Sequence, residues 1–227
     1  MNTLLKDALT FFISHYRVLA LMFIPVVGLE FATITMAGLG EIEESVDLTS
    51  LQPTTLALLL STFVVLEPLV SGLTCRFVYR ARLQSTGLVS TVYKDVFSIA
   101  PVLILLQLSI LLGVVVGVQL FIIPGLIVWY LCSLAIPVLC RDRVGVFDAL
   151  RLSWRYTKEG FNQYFPSLVL LIVAIVIPLN LLSLINWPSW VVPLWMLATT
   201  VVMSLIDVYK CRVIDHMNEV DTHAPRD

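Results

Sequence analysis

Along the chain, long apolar runs alternate with short segments that carry the charge. A hydrocarbon core about 30 Å thick takes about 20 helical residues. Six stretches come near that length: Val18 to Leu39, Thr54 to Cys75, Ile99 to Ile122, Ile123 to Cys140, Tyr164 to Ile185, and Trp190 to Tyr209. Backbone N–H and C=O groups in lipid must bond within their own segment, so each run predicts a helix. The pattern therefore predicts an all-α fold, a polytopic membrane helix bundle of about six transmembrane helices. It forms a single membrane domain over 1–219, followed by a short polar and mobile tail, 220–227. Only Ile122-Ile123-Pro124-Gly125 separates the third run from the fourth, so one long kinked helix, and hence five spans, is the alternative. Pro124 lacks an N–H and Gly125 tolerates a turn or a close approach, which favours a tight reversal there.

Charge decides the count. Lys and Arg in short loops stay on the cytoplasmic side of a membrane. With six spans all 14 basic residues share one side: Lys6 and Arg17, then Arg76, Arg80, Arg82 and Lys94. Arg141, Arg143, Arg151, Arg155 and Lys158 follow, and Lys210, Arg212 and Arg226 complete the set. The substantial loop on the other side is acidic, with Glu41, Glu43, Glu44 and Asp47. Fusing the third and fourth runs would divide the basic clusters between the two faces. Six spans and cytoplasmic N- and C-termini are expected. The run from Val18 is too long for the apolar part of a signal peptide and reads as an uncleaved first helix. Composition agrees: 13% of the 227 residues are charged and 59% hydrophobic, where a soluble domain carries roughly a quarter charged residues.

Each odd-numbered span follows a mixed segment: Thr3 to Tyr16, Arg82 to Ser98, and Gly145 to Gln163. These predict amphipathic interfacial helices on the cytoplasmic side. In the third, Val146, Phe147, Leu150 and Trp154 recur at helical spacing, opposite Asp148, Arg151, Arg155 and Lys158. Arg151, Arg155 and Lys158 are candidate contacts for anionic lipid headgroups. A connecting helix packed under the bundle accounts for the same pattern equally well.

Ionisable groups at membrane depth cost at least about 2.5 kcal/mol even on insertion scales, which singles out Glu30, Glu67 and Asp207. Asp207 lies one turn from Lys210 at the inner edge of its span and reads as a structural pair. Glu30 and Glu67 lie too deep to snorkel and have no Lys or Arg at their level. They are the candidate intramembrane polar site, for a cation, a proton or a polar solute. The competing reading makes them neutral hydrogen-bonding residues that set helix register, with Thr33, Thr62 or Ser71 as partners. The apolar midplane of spans three to six favours that reading, since a substrate path needs more polar groups. Each carboxyl shares its span with a proline, Pro25 or Pro68, and Pro68 frees the Val64 carbonyl.

Other features add architecture. Cys75, Cys140 and Cys211 fall near the inner ends of helices and Cys132 lies within span four, at spacings that suit neither a disulfide nor zinc. Trp187, Trp190 and Trp195 read as an outer aromatic belt. Gly113 and Gly117 form a Gly-x-x-x-Gly, placed within one bundle.

The stretch Pro124-Gly125-Leu126-Ile127, Pro137-Val138-Leu139 and Gly145-Val146-Phe147-Asp148-Ala149-Leu150-Arg151-Leu152-Ser153-Trp154 resembles the YciC-like family of bacterial inner-membrane proteins. It is more distantly similar to the membrane domain attached to some glycerophosphodiester phosphodiesterases. Phe11-Phe12 and Tyr209 extend the resemblance over nearly the whole chain. It implies an all-helical protein of the bacterial inner membrane and transfers no active site. The phosphodiesterase chemistry belongs to a separate soluble domain, and His15, His216 and His223 are scattered here. No phosphate loop, catalytic triad or dinucleotide fingerprint occurs, so no enzymatic activity and no cofactor or metal is expected. A net charge of −2 gives nucleic acid nothing to bind. The expectation is a non-enzymatic membrane component that maintains the envelope or assists a membrane protein partner, with lipid as its other partner. A small transporter of a polar solute, cation or proton through Glu30 and Glu67 is the alternative.

Overall fold

The computed structural model describes residues 2–36, 62–81, 88–183 and 191–223. Among these the chain is helical throughout and contains no strand. The helices are α1 (Asn2–Met36), α2 (Glu67–Ala81, entered through a π-helical turn at Thr62–Leu66), α3 (Leu88–Leu120) and α4 (Ile122–Cys132). They continue as α5 (Ala135–Asp142), α6 (Val146–Glu159), α7 (Phe161–Ser183) and α8 (Val192–His223). Among the described residues five segments are long and apolar enough to cross a membrane: Thr3–Met36, Val89–Leu120, Ile122–Asp142, Tyr164–Leu182 and Val192–Glu219. The chain is an all-helical, multi-pass membrane protein. The expected second span, Thr54 to Cys75, lies partly outside the described residues, and from Thr62 its remainder is helix through Ala81.

A short helix of mixed polarity sits at the centre. In α2 every residue from Ser71 to Val78 is buried, as is Pro68. A helix buried on all sides over two turns needs neighbours on all sides, and α2 packs on α1, α3, α5 and α8. Around this hub, α1 and α8 make a long mutual contact. Leu19, Met22, Phe23, Val26 and Val27 recur at three- and four-residue spacing on α1, and Val201, Leu205 and Val208 do so on α8. The Tyr93 hydroxyl donates to the Met22 carbonyl and ties α3 to α1. Outward-facing Leu21, Leu112, Ile123 and Leu181 form the apolar surface that a bilayer covers.

Helices α3 and α4 reverse direction at Phe121, which is extended at φ −165°, ψ 154°. The third and fourth runs are thus a hairpin and not one kinked helix. Pro124 and Gly125 lie inside the first turn of α4 instead of forming the corner. Proline suits that turn, where its missing N–H has no partner to lose. The glycines set how closely the hairpin packs: a Cβ on Gly117 would lie 2.7 Å from the Gly125 Cα, and one on Gly125 would lie 2.3 Å from the Val118 Cγ2. The Gly-x-x-x-Gly therefore serves contact within the bundle.

Three expectations change. Thr3 to Tyr16 is continuous with α1, and the described part of Arg82 to Ser98, from Leu88, is continuous with α3, so neither is a separate interfacial helix. Only α6 stands apart; its buried residues are Ala149, Ser153, Tyr156 and Thr157, and Val146 and Leu150 of its apolar stripe are partly buried against the core. Phe147 and Trp154 point out of the bundle, 86% and 53% exposed. Residues 220–223, expected in a mobile tail, continue α8 as helix, and 224–227 lie outside the described residues.

Candidate functional site

Two prolines interrupt two helices at one place. Pro68 has no N–H to give the Val64 carbonyl, and the chain just before it adopts the π-helical turn Thr62–Leu66. Pro137 stands in the same relation to Ser133, and the helix breaks at Ser133-Leu134 between α4 and α5. The break also exposes the Leu131 carbonyl. It accepts Ser153 Oγ at 2.7 Å and Thr157 Oγ1 at 3.4 Å, which pins α6 to the discontinuity.

Between these interruptions lies a cavity of about 520 Å³. Glu30 reaches it from α1, Thr62 from the π-helical turn, Glu67 and Ser71 from α2, and Gln107 from α3. Cys132 and Ser133 line it at the break, and α8 contributes Thr199, Thr200, Ser204, Asp207 and Lys210. From Thr199 to Lys210 the α8 lining runs about 16 Å at the helical rise of 1.5 Å per residue. The cavity is thus a column along the bundle.

Its walls are largely apolar, with Leu66, Val70, Ile110, Trp129 and Ile136 among them, and its polar groups are mostly acceptors. Among the described residues, three carboxyl groups and one ammonium line it. Lys210 Nζ lies 3.3 Å from Asp207 Oδ1, in a pair whose side chains are 19% and 15% exposed. Gln107 Nε2 donates to Glu67 Oε2 at 3.3 Å. Thr199 and Thr200 each donate to the Met196 carbonyl at 2.8 Å, and Ser204 donates to the Val201 carbonyl at 2.6 Å. With each hydroxyl hydrogen spent on its own helix, the oxygen lone pairs remain for whatever occupies the cavity. The column suits a donor-rich or positively charged guest. Among the described residues no three His, Cys, Asp or Glu side chains gather into a metal-chelating group.

Neither a family model, nor a curated protein, nor a solved structure matches this chain. The geometry carries the functional reading alone.

Glu30 and Glu67, singled out from sequence by depth, line the same cavity. Of the partners expected for them, Thr62 and Ser71 share that lining, whereas Thr33 donates to the Leu29 carbonyl of its own helix. Gln107, Thr199, Thr200 and Ser204 were missed, because a single polar residue in an apolar run gives no signal until its helix is oriented. Asp207 pairs with Lys210 as expected and also lines the cavity, so a structural pair becomes part of the site. The apolar midplane expected of spans three to six is corrected by the same residues. Arg151, Arg155 and Lys158 lie on the exposed side of α6, away from the cavity. Arg155 Nε pairs with Glu159 at 3.4 Å, and Lys158 Nζ sits 5.4 Å from the Trp154 ring centre. Cys75 on α2 lies beside Cys140 on α5 and Cys211 on α8 in the buried core, and all four cysteines are free.

Proposed function

We propose that this chain binds a small cationic solute, or protons, within the membrane and passes it across as a transporter. The observation that carries this reading is the convergence of Glu30, Glu67 and Asp207 on one cavity whose polar groups, among the described residues, are mostly acceptors with one ammonium, Lys210. A volume of about 520 Å³ holds an organic amine or a partly hydrated monovalent cation. Interrupted helices flanking a buried polar site are the arrangement used where membrane proteins hold ions and solutes, because freed carbonyls and mobile half-helices are available there.

The finer topology belongs to the same proposal: six spans in the bacterial inner membrane, with both termini cytoplasmic. The one-sided distribution of the 14 basic residues supports it. The resemblance of residues 124–127, 137–139 and 145–154 to the YciC-like family fits the same proposal.

A second reading, a non-enzymatic component that maintains the envelope or assists a membrane partner, draws on α6. Its outward Phe147 and Trp154 beside Arg151, Arg155 and Lys158 suit an anionic headgroup layer.

Proteoliposomes carrying a pH gradient and a trapped pH-sensitive dye test the first reading. Addition of sodium, potassium or methylammonium is expected to dissipate the gradient with the wild type. Glu67→Gln and Glu30→Gln are expected to slow that dissipation at least tenfold. If no cation produces a response above empty liposomes, or if both variants respond like the wild type, the transport reading fails. Stoichiometric co-purification of one membrane partner, undiminished in both variants, would then favour the second reading.

A further inference from the structure

We propose that the basic end of the bundle contains a site for a phosphate-bearing anion, built from Arg76, Arg80 and Arg143 around Asp95. Arg80 and Arg143 are already engaged. Arg80 donates from Nε and Nη2 to Asp95 Oδ2 at 2.9 and 2.6 Å, and Arg143 Nη2 lies 3.2 Å from the other carboxylate oxygen. Both oxygens of the one carboxylate are therefore occupied. Asp142, next to Arg143 in the chain, is held by Arg141 at 2.7 Å.

Arg76 is left over. It lies one turn from Arg80 along α2, with 7% of its surface exposed. Its Nε and Nη2 are buried and have no hydrogen-bond partner among the described residues. Arg80, Arg143 and Asp95 are close enough for their charges to act on it. Three guanidinium groups thus share one carboxylate. Burying a guanidinium without a counter-charge is strongly unfavourable, and an anion that accepts several hydrogen bonds removes the penalty. A phosphate group matches the planar guanidinium fork and has oxygens enough for more than one arginine.

The route in lies at Arg143, whose side chain is 54% exposed. This residue ends α5 in the left-handed conformation, φ 52°, with its N–H bonded to the Leu139 carbonyl at 3.0 Å. A non-glycine side chain adopts that conformation at some cost. Here the conformation accompanies the reach of Arg143 to Asp95 on α3. Nothing in this arrangement depends on the cavity between α1, α2 and α8. The same phosphate chemistry is offered by the headgroup of an anionic lipid and by a free phosphate, and the two sources separate by experiment.

The test measures thermal midpoints of the purified full-length protein in a neutral detergent. Sodium phosphate is compared with sodium chloride at matched ionic strength, and phosphatidylglycerol with phosphatidylcholine in the micelle. At tenfold excess over half-saturation the effective anion is expected to raise the midpoint by about 3–6 °C. That rise is expected to vanish in Arg76→Gln, to shrink in Arg143→Gln, and to persist in Arg155→Gln on α6. A response to phosphate alone supports a free anion as ligand, and a response to phosphatidylglycerol alone supports a lipid headgroup. Without either anion, Arg76→Met is expected to melt at or above the wild-type midpoint. A lower midpoint would show that the guanidinium already has its partner within the protein and would overturn the proposal. So would a rise absent with both anions, or one undiminished in Arg76→Gln. If the Arg76 variants fail to fold, Arg143→Gln, at an exposed position, decides: an undiminished rise there overturns the proposal.

Discussion

Replacing Gly125 by alanine tests how the α3–α4 hairpin is held together. The added Cβ would lie 2.3 Å from Val118 Cγ2, 2.9 Å from Val118 N and 3.2 Å from Val118 Cα. Two of those three atoms are backbone and cannot rotate away. Restoring ordinary contact requires the helices to part by about 0.5–1 Å, a gap that forfeits a quarter to a half of each contact's dispersion energy. Overpacking of this kind costs about 1–3 kcal/mol, offset by up to about 1 kcal/mol gained when alanine replaces glycine in a helix. Gly28 supplies the control, because a Cβ there meets nothing within 4 Å and the substitution collects only the gain. The two variants should therefore differ by about 2 kcal/mol, or about 4–8 °C in thermal midpoint. A thiol-reactive dye reads the transition, since Cys75, Cys140 and Cys211 are fully buried in the folded protein. Gly117→Ala meets the same contact from the other side, so adding it to Gly125→Ala should cost less than the two single changes together. A Gly125→Ala midpoint equal to that of Gly28→Ala would refute the close approach.

Two further outcomes are expected. Ser153→Ala should lower stability by about 1 kcal/mol, because the Leu131 carbonyl keeps only the long bond from Thr157; an unchanged thermal midpoint for Ser153→Ala with Thr157→Val would show that α6 is not pinned at the break. A water-soluble cationic methanethiosulfonate should modify Cys132, which lines the cavity, well before the three buried cysteines; mass spectrometry that finds all four equally protected would mean that the column is closed to water and ions.

The carboxylates were legible because of what lipid does to charge. In an apolar run, a residue such as Glu67 carries a penalty large enough to demand an explanation wherever it sits. Gln107 and Thr200 carry no such penalty, since a helix in lipid can bond a hydroxyl to its own carbonyls and an isolated amide is far cheaper than an ion. Pro68 was visible as a residue that frees the Val64 carbonyl, and Pro137 as a proline within the fourth run. That both breaks would open on one cavity was not, because Val64 and Ser133 lie on different helices whose rotation is set by packing. Periodicity left open whether the α6 stripe faces outward or packs under the bundle; Phe147 and Trp154 point out while Val146 and Leu150 pack against the core, a division that only the packing sets.

The amino-acid sequence by itself determined that the chain is helical and crosses a membrane several times, since apolar length and the demand for internal backbone bonding are properties of each segment alone. It also determined where charge is concentrated. Only the tertiary structure decided that α2 is the hub, and that Glu30, Glu67, Asp207 and Lys210 line one space. It alone left Arg76 buried beside two engaged arginines. The physical reason is that helix formation is local, whereas the rotation and contact partners of each helix emerge from packing all of them at once.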